Sequence, residues 1–137
     1  MEIAVLVFGS GGKTMSVKSP MYNDNKLKLG IFSANCSGGM AVTKVEERWE
    51  NTWENNLELV RQCDAAGIEF MLPIARWIGY GGATDFHGAV LETVTWAAGL
   101  LAHTQKIQVF ATVHTAFNQP IVSAKQLATI DHLGNGR

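Results

Sequence analysis

The sequence predicts a parallel β/α architecture, and three observations predict it. Apolar runs of strand length alternate three times with longer stretches of helical periodicity. The middle strand candidate is apolar at consecutive positions, Phe70, Met71 and Leu72, as a strand buried on both faces reads. No Gly-x-Gly-x-x-Gly follows any strand, which weakens the dinucleotide-binding, doubly wound version of the same alternation. Strand–helix alternation implies parallel strands joined by right-handed crossovers. A closed barrel takes eight such units and about 250 residues. An open three-stranded sheet would leave an unpaired edge. A doubly wound open sheet and a (β/α)8 TIM barrel both remain, and the expectation is an incomplete chain with about the first three β/α units present.

Residues 1–26 differ in character from the rest of the chain. Ile3 to Phe8 reads as a short strand, but Gly9 to Asn25 is rich in Gly, Ser, Lys and Asn and has no periodicity. This segment is expected to be a flexible N-terminal extension, and 27–137 the N-terminal part of the barrel domain. The extension contains Gly-Ser-Gly-Gly-Lys-Thr at 9–14. A phosphate-binding P-loop needs a glycine where Val7 stands, so that motif fails.

The first strand of the barrel is expected over about six residues from Leu27, with Leu27, Leu29 and Ile31 alternating, closed by the turn Asn35-Cys-Ser-Gly-Gly39. A helix is expected from about Val45 to Ala66. Trp49, Trp53, Leu57, Val60 and Cys63 share one face, and Glu50, Glu54, Glu58 and Arg61 the other. Gly67 supplies its left-handed stop. Ile68 to Ile74 is the second strand, and Ala75 to Phe86 a Gly-rich loop. The second helix is expected from about His87 to His103, with Leu91, Val94, Ala98 and Leu101 as its stripe. Lys106 to Val113 is the third strand. Asn118 is the expected cap of the last helix, with Pro120 in its first turn.

Composition narrows the partners. The chain has 137 residues, 47% hydrophobic and 17% charged, too apolar for a disordered segment. A formal net charge of -1 without long runs of like charge gives no electrostatic reason to expect nucleic acid or an anionic membrane. No apolar run approaches the ~20 residues of a transmembrane span. The apolar start lacks the basic flank and small-residue site of a signal peptide. Cys36 and Cys63 form no CxxC and are expected as free thiols in a reducing cytosol, which places the protein in the cytoplasm.

In a barrel of this kind, chemistry sits at the carboxyl ends of the strands. Here those ends are Ser33 to Gly39, Ile74 to Gly82 and Val113 to Asn118. Arg76 is the sharpest candidate, its guanidinium offering a planar fork of donors to phosphate, carboxylate, sulfonate or a ring carbonyl, with Trp77 beside it to shield a flat ligand. The competing reading is a surface arginine in a loop. His114 can donate a proton or hydrogen-bond a cofactor, or simply pack. His87 is expected to open a helix, and His103 and His132 to lie near helix C-termini where positive charge suits the dipole. Asp85 and Glu92 do not form a carboxylate pair, Glu69 and Asp131 look structural, and Ser37 lacks a nucleophile-elbow pattern. No His, Cys and Asp cluster has metal-ligand spacing.

From Leu27 to Arg137 the sequence resembles the bacterial luciferase-like flavin-dependent monooxygenases. The resemblance rests on Asn35-Cys-Ser-Gly-Gly39, on Ala75-Arg-Trp-Ile-Gly-Tyr-Gly-Gly-Ala-Thr-Asp-Phe86, and most specifically on Ala124-Lys-Gln-Leu-Ala-Thr-Ile-Asp-His-Leu-Gly-Asn-Gly-Arg137. Within the family it is similar to the branch of pyrimidine and dimethyl sulfone monooxygenases. The resemblance implies a β/α barrel, reduced FMN supplied by a separate flavin reductase, and O2, which adds to the flavin to give a C4a-peroxyflavin that oxygenates a small organic substrate. It implies cofactor-binding roles for Ala75, Arg76, Thr112, Val113 and His114, with His114 also a catalytic candidate. It further implies a homo-oligomer. The family's fourth-strand asparagine and Gly-Trp pair, and its phosphate-binding residues, fall beyond Arg137. Two alternatives stay open: a coenzyme F420- or flavin-binding barrel that is not a monooxygenase, and a fragment inactive by itself.

Overall fold

A computed structural model describes residues 19–137. The expected strand at Ile3–Phe8 and the glycine-rich segment at 9–14 lie outside the described residues. Three short parallel strands form one sheet in the order β1 (Gly30–Phe32), β2 (Phe70–Leu72), β3 (Gln108–Val109). Ile31, Met71 and Val109 stand in register across the sheet. Side chains alternate along a strand, so these three share one face. Met71 is fully buried there, within a core that includes Val60, Trp96, Leu100, Leu101 and Ile107. The other face presents Phe32, Phe70 and Leu72, and Phe70 meets Phe110 edge to face at 5.7 Å. Phe32 remains 46% exposed, so that second face is apolar and only partly covered.

Three helices alternate with the strands: α1 (Trp53–Ala66), α2 (Thr93–Ala102) and α3 (Pro120–Gly134). The order of elements is the one expected from sequence, and so is the stop of α1, where Gly67 takes the left-handed conformation at φ 80°. α2 packs against both α1 and α3. The Trp96 indole N–H donates to the Asn56 side-chain oxygen at 2.8 Å, pinning α2 to α1 through two buried polar groups.

Several boundaries differ from the sequence reading. α1 begins at Trp53 rather than near Val45, because the Thr52 hydroxyl caps it by accepting from Asn55 N–H. Trp49 lies in the irregular segment before it, and its indole N–H reaches the Ala34 carbonyl at 2.8 Å. Its four-residue step to Trp53 is therefore not a helical contact. β1 is half its expected length, and Leu27 and Leu29 are exposed. α2 begins at Thr93, capped by the Glu92 carboxylate, so His87 and Leu91 belong to the loop before it. Burial opposes ionisation of Glu92, but the N–H groups of Val94 and Thr95 outweigh it and lower its pKa. α3 is preceded by Gln119 rather than capped by Asn118, whose side chain instead donates to the His114 carbonyl at 2.8 Å.

Candidate functional site

A cleft of about 510 Å³ opens at the carboxyl ends of β2 and β3. Ala75 and Arg76, just past β2, and Thr112, Val113 and His114, past β3, all line it. The fold thus brings together every residue singled out from sequence for this role. The floor is small and apolar where Ala75 and Val113 are buried. The Thr93 hydroxyl donates to the Thr112 carbonyl at 2.5 Å and ties the start of α2 to the end of the third strand segment.

Arg76 and His114 carry the polar chemistry. The Arg76 guanidinium lies 4.2 Å above the Tyr80 ring, and one of its terminal nitrogens donates to the Tyr80 hydroxyl at 2.9 Å. Stacking and this bond orient the fork. The Arg76 Nε is buried and has no partner. The His114 ring stacks on Phe117 at 5.2 Å, and its Nε2 is likewise buried without a partner. Trp77 meets Phe117 edge to face at 5.7 Å and is 72% exposed, so it stands at the lip of the cleft.

Sequence reasoning missed two residues of this wall, His87 and Glu92. His87 is 2% exposed and holds φ at 57°. Its Nδ1 is the third partnerless atom, which completes the set of such buried side-chain atoms among the described residues. All three belong to the lining of this one cleft. Buried polar groups are normally paired, so three orphans along one cleft make it the candidate site. The available signal that His87 is not helical was Gly88 directly after it, a residue that disfavours a helix.

The loop after β1 does other work. The Asn35 side chain accepts from Ile74 N–H at 3.0 Å and donates to the Ile74 and Leu91 carbonyls at 2.9 and 3.0 Å. It staples the strand ends rather than facing the cleft. Cys36 and Cys63 are free and buried, and burial pushes both thiols up from their ordinary pKa. Among the described residues no helix is long and apolar enough to cross a membrane.

Three parallel strands with alternating helices, and a cleft at their carboxyl ends that holds the unpaired polar atoms, define a β/α protein with a candidate ligand site. The profile of the luciferase-like monooxygenase family matches residues 27–137, and the chain belongs to that family. It is 36% identical over 111 residues to a pyrimidine monooxygenase RutA of Pseudomonas savastanoi pv. phaseolicola, covering 81% of this chain and 31% of that protein. It is 33% identical, over 81% of this chain and 30% of the relative, to the pyrimidine monooxygenase RutA of Acinetobacter baylyi. The chain thus spans about a third of the length of the curated relatives it matches.

Proposed function

We propose that this chain forms the first three β/α units of a (β/α)8 barrel that oxygenates a small organic substrate with reduced FMN and O2. Family membership supports the class of reaction. The partly covered apolar face of Phe32, Phe70 and Leu72 supports the barrel, because a barrel interior is filled by side chains from every strand. The observation that carries the cofactor reading is the cleft where the unpaired Arg76 Nε and His114 Nε2 meet an apolar floor of Ala75 and Val113. A flavin ring presents a flat apolar surface rimmed by carbonyl and nitrogen acceptors, and these residues fit it.

When bound, the reduced flavin supplies the activation of oxygen. The protein's own residues bind and orient. Arg76 Nε–H would donate to a ring carbonyl or phosphate oxygen, and His114 would hydrogen-bond the ring edge from the third strand. Ala75, Val113 and the Thr112 backbone give the flat wall, while Trp77 and Phe117 stand where they exclude water from the mouth. The reduced flavin arrives from a separate reductase, the whole enzyme is a cytoplasmic homo-oligomer, and the names of the relatives favour a pyrimidine-like substrate.

Titration of the chain with oxidised FMN, followed by flavin absorbance, tests this. Saturable binding is expected, and Arg76→Ala should weaken it about tenfold through loss of one charge-assisted hydrogen bond. No binding by the parent chain, or equal affinity in the variant, would contradict the reading.

A further inference from the structure

The loop that carries Arg76 is fastened to the loop after β1 by a seam of hydrogen bonds. His87 N–H donates to the Ser37 carbonyl at 3.2 Å, and Ser37 N–H to the Ala89 carbonyl at 2.8 Å. Ala89 N–H reaches the Ser37 hydroxyl at 3.1 Å, and the Arg48 guanidinium the Thr84 carbonyl at 2.9 Å. At the centre of this seam is the buried His87 side chain. Its Nε2 lies 2.7 Å from the Gly39 carbonyl and 3.3 Å from the Ser33 hydroxyl. A carbonyl only accepts, so Nε2 carries a hydrogen and donates to Gly39.

The same residue supports Arg76 from below. The His87 ring stacks on Phe86 at 3.8 Å, and Phe86 stacks on Tyr80 at 5.6 Å. Tyr80 N–H donates to the Phe86 carbonyl at 3.0 Å. Gly79 lies so close that a β-carbon there would stand 2.5 Å from the His87 carbonyl. Tyr80 in turn carries the Arg76 guanidinium by stacking and by its hydroxyl. A continuous path of contacts thus runs from the Gly39 carbonyl through His87, Phe86 and Tyr80 to Arg76. The left-handed backbone of His87 is sterically strained for a side chain with a β-carbon, and such strain persists where the surroundings impose it and function uses it.

We infer that His87 is the positioning residue for Arg76: its Nε2–H, anchored on the Gly39 carbonyl, holds the Arg76–Tyr80 loop in the geometry that points Arg76 at the cleft. This rests on the reading of the cleft as the flavin site.

Amide hydrogen exchange and FMN titration of the chain test it together. His87→Phe keeps a stacking ring but loses the donor, His87→Gln keeps a donor at the reach of Nε2, and His87→Asn tolerates the left-handed backbone but is too short. Exchange over residues 76–80 should speed up about tenfold in His87→Phe and His87→Asn, with α1 and α2 unchanged, and return to within about twofold in His87→Gln. FMN affinity should fall about five- to tenfold in His87→Phe, with no further fall when Arg76→Ala is already present, because the two act through one contact. Unchanged loop exchange in His87→Phe, equal behaviour of the Asn and Gln variants, or additive losses of affinity would overturn the proposal. If His87→Phe loosens the whole chain, the Asn and Gln pair decides. If the parent binds no FMN, the flavin reading falls, while the exchange arms still decide whether His87 holds the loop.

Discussion

At the amino-terminal edge of the sheet, polar groups find partners within the chain. The Asp64 carboxylate, on the last turn of α1, accepts from Gln105, Lys106 and Ile107 N–H at 3.1, 2.7 and 2.7 Å and fixes the entry into β3. Arg137 donates to the carbonyls of Leu101, Thr104, Ile107 and Gly134 and so closes the end of α2. Ser19 hydrogen-bonds Gln108, and the buried Glu69 carboxylate accepts from Asn25 and from Leu29 N–H. At the carboxyl-terminal edge the pattern inverts. Ser33, Asp85 and His87 hold positive φ without being glycine, and Arg76, His87 and His114 each leave a buried nitrogen unpaired. The three unpaired buried side-chain nitrogens among the described residues all lie at the carboxyl-terminal edge, as do three of the four non-glycine residues with positive φ. The proposed β/α barrel implies such a division, into a face that stabilises and a face that binds.

The largest effect that would sharpen this contrast is at the saturated edge. Asp64→Ala should destabilise the chain by about 2–3 kcal/mol, since three backbone N–H groups lose a charged acceptor at once, and FMN affinity should stay as it was. Urea denaturation beside a flavin titration checks both halves. A large loss of affinity with little loss of stability would break the contrast between the edges.

Acid should act on the same residue. Burial opposes ionisation of Asp64, but the three N–H donors and then Arg137 outweigh it and hold its pKa below the ordinary 3.8. A folded-state pKa below the unfolded one contributes stability that is complete above the unfolded value and is lost as pH falls through the folded one. Glu92, lowered from 4.5, acts in the same direction. The contribution of these carboxylates should therefore be complete above about pH 5 and fall away below about pH 4, and Asp64→Ala should remove part of that fall. A fall of equal steepness in parent and variant would show that Asp64 does not drive it.

The smallest effect on stability is expected at the unsatisfied edge. His114→Leu keeps the volume and removes an orphaned nitrogen, so stability should change by less than about 1 kcal/mol while FMN affinity falls several-fold. A loss of stability comparable to that of Asp64→Ala would make His114 a structural residue.

The contrast also explains what could be read from sequence. Element order was legible because apolar periodicity and Gly67 are local signals. Arg76, Val113 and His114 were legible because they follow strands, and strand ends converge. The start of α1 was misread because Trp49 continues a helical spacing by coincidence, its indole being held by the Ala34 carbonyl fifteen residues away in the chain. Asp64 and Arg137 were invisible as a saturating pair of anchors because, Gly134 apart, their partners lie 30 or more residues away. His87 was misread because its partner, Gly39, lies 48 residues earlier and its backbone conformation has no sequence periodicity.

The most direct test of the division between the two edges is to map FMN onto the chain by backbone amide NMR. Shifts on titration are expected to concentrate at Ala75–Arg76 and Thr112–His114, with Asp64 and Gln105–Ile107 at the opposite edge unmoved. Shifts concentrated at the amino-terminal edge, or none at the cleft, would contradict it.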